Sequence, residues 1–193
     1  MSRFVRIVAL LAGVSVLSLG IAAGAGARAA AYSEIKLGDQ VRIAGTRIIC
    51  LAAKDDTTGK PGIGCALFAG GAPITGSYAP SLTAGGSITV ERIAKNSAPT
   101  VFKRTLQGVG AASKTHVLRS GDQFALPVGG DKAVGCSILT LGGFIGPVCS
   151  YASKKGPVGS SYGFFLSGQQ AAVIRYDGSG KSSSPVKRFQ QPH

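Results

Sequence analysis

The chain has 193 residues with 21 Lys and Arg against 8 Asp and Glu, a net charge of +13, and it contains 29 Gly, four Cys and two His. That balance points toward anionic partners, such as nucleic acid, anionic lipid or cell-wall polymer. With His116 and His193 as the histidines and no C-x-x-C spacing, the sequence argues against a metal centre, and no cofactor is expected.

The chain opens on a targeting segment. Arg3 and Arg6 precede an uncharged run from Ile7 to Ala27, and the small-residue triplets Ala25-Gly26-Ala27, Ala27-Arg28-Ala29 and Ala29-Ala30-Ala31 each fit an A-x-A cleavage pattern. Residues 1–31 therefore read as a secretory signal peptide cut between Ala27 and Ala31, with the mature chain starting between Arg28 and Tyr32. An uncleaved membrane anchor is the competing reading, since about 20 apolar residues span a bilayer, but the Leu, Val and Ile content stops at Ile21. Loss of Arg3, Arg6 and Arg28 leaves 18 basic residues against 8 acids, a net +10.

The remaining segments are short, apolar or alternating, and bounded by Gly, Pro, Asn, Asp and Ser, which reads as strands joined by turns. Strands are expected near Gln40–Ile43, Thr46–Ala52, Ile63–Phe68, Ser77–Leu82, Ser87–Ile93 and Thr100–Gln107. They are expected again near Gln123–Val128, Ala133–Leu139, Pro147–Ala152, Ser161–Leu166, Ala171–Tyr176 and Pro185–Gln190.

These two sets form a repeat. Gly38-Asp39-Gln40 returns as Gly121-Asp122-Gln123, 83 positions later, and Ser77-Tyr78 returns as Ser161-Tyr162, 84 later. Val90-x-Arg92 returns as Val173-x-Arg175, and Lys103-Arg104 as Lys187-Arg188. Such a sustained offset implies a duplicated unit. The fold class expected is all-β: a tandem duplication of a roughly 80-residue, disulfide-stapled antiparallel unit of about six short strands, the two packed side by side. The first unit covers 32–107, a Gly/Ala/Ser linker 108–114, and the second unit 115–193. Of the three ways to pair four cysteines, the repeat selects Cys50 with Cys65 and Cys136 with Cys149. Each short closed loop adds about 3 kcal/mol in the chain-entropy model.

The motifs weigh against catalysis. Gly178-Ser179-Gly180-Lys181-Ser182 lacks the first glycine of a phosphate loop, because Arg175 stands there, and no helix follows. Gly108-Val109-Gly110-Ala111-Ala112-Ser113 ends in Ser where a dinucleotide fingerprint needs Gly or Ala. His116 has no G-x-S-x-G nucleophile elbow to serve, so no catalytic residue is assigned. Asp39 and Asp122, each after Gly and before a strand, suit a turn that collects backbone N–H groups. Arg92 and Arg175 share a strand face with a buried Val and need an acceptor, so Asp39–Arg92 and Asp122–Arg175 are expected as ion pairs.

Tyr78 and Tyr162 are half-buried tyrosines or platforms for a sugar ring. Lys103, Arg104, Lys154, Lys155, Lys187 and Arg188 are the densest basic spots and the candidate contacts to an anion. The loops Asp55–Gly62 and Thr140–Gly146, between the cysteines, differ most between the copies and are the other candidate binding elements.

The Ala/Gly-rich leader with the strand–Cys, loop, strand–Cys core (Ile48–Cys50, Ile63–Cys65) loosely resembles the small two-cysteine β domains exported by high-GC Gram-positive bacteria, and that resemblance carries no activity with it. The expected function is a secreted or cell-surface, non-enzymatic basic β protein that binds an anionic envelope polymer or a partner protein. A secreted hydrolase acting on cell-wall polymers and a secreted inhibitor module are the alternatives. No specific nucleic acid and no membrane span after cleavage are expected.

Overall fold

The computed structural model describes residues 29–95, 113–153, 156–157, 161–176 and 185–192. The described residues form fifteen strands and no helix. The first half holds β1 (Tyr32–Glu34), β2 (Gln40–Ile43), β3 (Ile48–Lys54), β4 (Pro61–Ala69), β5 (Ala72–Pro73), β6 (Tyr78–Thr83) and β7 (Ile88–Arg92). The second holds β8 (Thr115–Leu118), β9 (Gln123–Gly129), β10 (Lys132–Leu141), β11 (Phe144–Ser153), β12 (Gly156–Pro157), β13 (Ser161–Leu166), β14 (Gln170–Tyr176) and β15 (Lys187–Gln190).

The expected all-β, disulfide-stapled duplication is what forms. Cys50 stands directly opposite Cys65 on β3 and β4, and Cys136 opposite Cys149 on β10 and β11. Each pair is bridged with a Cα–Cα distance of 4.0 Å. That close approach is characteristic of the narrow, non-hydrogen-bonded sites of an antiparallel ladder.

The halves are not closed on themselves. One sheet runs β7-β6-β4-β3-β2-β8 and the other β1-β9-β10-β11-β13-β14-β15. The first strand of each half thus lies in the other half's sheet, and these two pairings are the parallel ones: β1 with β9 and β8 with β2. Their registers match under the repeat. Tyr32 faces Gln123 and Thr115 faces Gln40, and 83 positions separate Tyr32 from Thr115 as they separate Gln40 from Gln123. The exchange is therefore reciprocal.

β1 and β8 escape a reading by hydrophobic pattern because they are three or four residues long and mostly polar or exposed. Ser113 and Lys114, expected as linker, already bind the first half: Ser113 N–H donates to the Gly38 carbonyl at 3.1 Å and Gln40 N–H to the Lys114 carbonyl at 2.9 Å. The expected strand at Thr100–Gln107 lies outside the described residues.

One core serves both halves. Val41, Ile43, Ile48, Ile63, Leu67 and Leu82 from the first pack with Phe124, Leu126, Val134, Ile138, Phe164 and Leu166 from the second, and all four cysteines are among them. Each central strand also has a covered outer side. Leu51, Ala66 and Phe68 form one smaller cluster, and Val148, Phe165 and Ala172 another. Such strands read as continuous apolar runs instead of alternating ones. Tyr176 is 1% exposed, and burial pushes its phenol up to about 12.

The expected Thr140–Gly146 loop is corrected. β10 and β11 continue to Leu141 and Phe144 around a two-residue Gly142-Gly143 turn, with φ of 57° and 87°. A turn with both central residues at positive φ matches the strand twist and needs no longer loop.

The repeat explains two glycines sterically. Gly62 and Gly146 hold equivalent positions, 84 apart. A Cβ at Gly62 would stand 2.6 Å from the Leu82 carbonyl oxygen, and one at Gly146 would collide with the carbonyl oxygen of Leu166. In both halves the neighbouring strand crosses too close for any side chain. Gly146→Ala is expected to cost about 2–4 kcal/mol in thermal unfolding. Gly135→Ala, where a Cβ meets nothing within 4 Å, is expected to change stability by less than about 0.5 kcal/mol.

Candidate functional site

The equivalent turns ahead of β2 and β9 locate the two aspartates. Gly38 and Gly121 have φ of 92° and 93°, a conformation that glycine adopts without strain. Each positions an Asp whose Oδ2 accepts a backbone N–H three residues back: Lys36 to Asp39 at 3.0 Å, and Arg119 to Asp122 at 2.9 Å. Both carboxylates are buried, at 5% and 2% exposure. The turn role expected of them is the one they fill.

The expected Asp39–Arg92 pair is not the arrangement found. Asp39 is engaged by the Lys36 amide and, at 3.4 Å, by His116 Nε2, while Arg92 Nε donates to the Gly76 carbonyl at 3.4 Å. Four steps of strand order separate β2 from β7, and four separate β9 from β14. Shared face parity alone could not reveal that distance. Both arginines stand directly opposite the repeated tyrosines: Arg92 faces Tyr78 and Arg175 faces Tyr162. Two separately repeated motifs are thus one cross-strand pair in each half.

His116 comes from β8, on the exchanged strand, and meets Asp39 with side-chain exposures of 9% and 8%. The pair joins the exchanged strand to the turn that feeds β2. Its position makes it a fastening between the halves.

The two tyrosines have different surroundings. Tyr78 packs against Phe189 of β15, ring centroids 4.9 Å apart. Its backbone is gripped by Gln191, whose Oε1 accepts the Tyr78 N–H at 2.8 Å and whose Nε2 donates to the Tyr78 carbonyl at 3.0 Å. Gln191 is 4% exposed, so the end of the second half is locked onto the first. Tyr162 is 41% exposed and lines a cleft between the halves.

That cleft has a volume of about 720 Å³. The first half contributes the β6–β7 turn at Gly85, Gly86 and Ser87, with Ile88 and Val90 beyond it. The second contributes the rings of Tyr151, Tyr162 and Phe189, with Val173 and Lys187. Lys187 Nζ stands 5.1 Å from the Phe189 ring centroid, where the ring face attracts the cation. Aromatic rings, an ammonium and a glycine-rich turn thus meet in one concavity.

Of the candidate contacts, Tyr162 and Lys187 meet in this cleft, with Tyr78 behind Phe189. Arg188 is on the same strand, β15, and exposed. Lys103, Arg104, Lys154 and Lys155 lie outside the described residues. Ser87, Tyr151 and Phe189 were not singled out by sequence. Phe189 carried a signal, as an aromatic beside the repeated Lys-Arg; Tyr151 and Ser87 carried none.

The Asp55–Gly62 loop is closed by its own bonds. Asp55 Oδ1 accepts the N–H groups of Thr57 at 3.1 Å and Thr58 at 2.7 Å, and the Thr58 hydroxyl at 2.9 Å.

Compared with protein families, curated proteins and solved structures, the chain matches none.

The Thr58 amide, above all, holds the Asp55 carboxyl below its ordinary value. Stability from a lowered carboxylate is present above the unfolded value, near 3.9, and is lost as pH falls through the folded one. NMR titration is expected to place Asp55 below that reference. Asp55→Ala is expected to speed amide exchange at Thr58 on the order of tenfold while lowering the global melt only slightly.

Proposed function

We propose that this is a secreted or cell-surface binding protein that holds an anionic envelope polymer in the cleft between its halves, without chemical conversion of it. The observation that carries the reading is the meeting of Tyr162, Phe189 and Lys187 in that concavity. An exposed tyrosine offers an apolar face for a sugar ring, and Lys187 offers a charge-assisted donor for a carboxylate or phosphate of the same polymer.

The disulfides are consistent with an oxidising, extracellular setting. A net charge of +10 after loss of the leader draws a polyanion to the surface at long range and weakens with salt. Rigidity supports the same reading. The cleft's walls come from two halves sharing one core, so its width is set by packing instead of by a hinge.

The test is equilibrium binding to a uronic-acid polysaccharide, with neutral dextran as control. Binding to the acidic polymer alone is expected, and it weakens as salt rises from 50 to 500 mM (~0.05–0.5 M). Tyr162→Ala is expected to weaken it about tenfold, the equivalent of about 1.4 kcal/mol. Lys187→Ala is expected to weaken it and flatten the salt dependence, while Arg47→Ala, away from the cleft lining, leaves it unchanged. Equal binding of dextran, or indifference to both cleft substitutions, would contradict the proposal.

A further inference from the structure

The turns between the paired cysteines differ in length. Cys50 and Cys65 are 15 positions apart, and Cys136 and Cys149 are 13 apart. The second half turns tightly at Gly142-Gly143. The first half carries its extra residues between Lys54 and Pro61, which face each other at the ends of β3 and β4. Under the offset of 84 that relates Gly62 to Gly146, Lys60 corresponds to Phe144. The first half thus has an ammonium where the second has an uncharged ring.

This loop reaches the cleft. The Ala84 N–H donates to the Pro61 carbonyl at 2.8 Å, which ties the end of the loop to the β6–β7 turn. In that turn Gly85 has a φ of 99°, and a Cβ there would stand 3.6 Å from Lys60 Nζ. Gly85 lines the cleft, so the Lys60 ammonium stands at the rim of the first half's wall. The backbone of Lys60 is held on both sides. Its carbonyl accepts the Asp55 N–H at 2.9 Å, and its N–H donates to the Thr58 hydroxyl at 3.4 Å. That hydroxyl donates in turn to Asp55 Oδ1 at 2.9 Å. Lys60 itself is exposed, so its side chain is open to a ligand. Among the described residues no carboxylate pairs with Lys60 or with Lys187.

The lining residues of the first half's wall are uncharged, and Lys60 gives that wall a cation to set against Lys187 on the other. Like charges on both walls of a cleft favour a ligand with more than one negative group. A charge-assisted hydrogen bond holds its partners about 2.7–2.9 Å apart, so ammoniums on opposite walls take separate acids. We propose that Lys60 is a second anion contact of this cleft and that the bound polymer carries acids on closely spaced sugars, one held by Lys187 and another by Lys60. The longer turn of the first half then serves to bring Lys60 to the rim. The proposal rests on reading the cleft as the site of an anionic polymer, and its test separates the two.

Equilibrium binding is measured with two polymers of one backbone. The first is polygalacturonate, acidic at every sugar. The second is the same polymer with most of its carboxyls methyl-esterified, so that its acids are isolated. With the acidic polymer, Lys60→Ala is expected to weaken binding about threefold, the effect of one exposed ion pair. Lys60→Arg, which keeps the charge, is expected to retain binding. With the esterified polymer, which offers one acid at a time, Lys60→Ala is expected to leave binding unchanged, while Lys187→Ala weakens binding of both polymers. Lys60 is exposed, so the melt of Lys60→Ala is expected to match that of the parent. A loss on the acidic polymer no larger than that of Arg47→Ala, or an equal loss on both polymers, overturns the two-acid site and leaves the cleft reading standing. Failure of the unsubstituted protein to bind the acidic polymer overturns both.

Discussion

The constraint on which the rest depends is the parallel pairing of each half's first strand with the other half's sheet. Parallel neighbours cannot be joined by a tight hairpin, so each of these strands needs a longer connection to reach its place. Here it arrives from the partner half. β1 crosses to lie beside β9, and β8 crosses to lie beside β2. Each crossing chain then returns to its own half through a glycine turn and a buried aspartate. Separating the halves would expose the backbone groups of two strands and divide a core that contains both disulfides. A unit of roughly 80 residues buries a modest core by itself; two that exchange strands bury one larger core between them.

The duplication shows how the same local chemistry is reused with different endings. Gly38 and Gly121, Gly62 and Gly146, and the Lys36–Asp39 and Arg119–Asp122 bonds repeat nearly unchanged, because each answers a backbone requirement that both halves share. Differences collect where the halves meet. Asp39 is met by His116, and Asp122 by Ala31. Tyr78 is covered by Phe189, and Tyr162 stands open in the cleft. The cleft wall that carries the rings of Tyr151, Tyr162 and Phe189 and the Lys187 ammonium belongs to one half alone.

Much of this was legible in the sequence. The β2 and β13 limits agree with the short apolar segments and their turn-forming flanks, and the repeat selected the disulfide partners that stand opposite each other. Strand order was not legible. A period of two reports which face a residue takes and says nothing about which strand lies beside it. Asp39 and Arg92 therefore looked like partners although four steps of strand order separate them, while Tyr78 and Arg92, cross-strand neighbours, went unconnected. The exchanged strands were hidden for a related reason: at three and four residues, with exposed Tyr32 and Val117 on them, they carry no apolar stripe to read. Tyr162 and Lys187 were visible as repeated residues, and their meeting in one cleft required the fold.

The measurement that most directly tests the account is a set of backbone NOEs across the exchanged strands in the uniformly labelled protein. The account predicts contacts of Tyr32, Ser33 and Glu34 with Gln123, Phe124 and Ala125, and of Thr115 to Leu118 with Gln40 to Ile43, in the parallel registers described. Contacts that place Tyr32–Glu34 within the first half's sheet and Thr115–Leu118 within the second would contradict it, because each half would then be closed on itself.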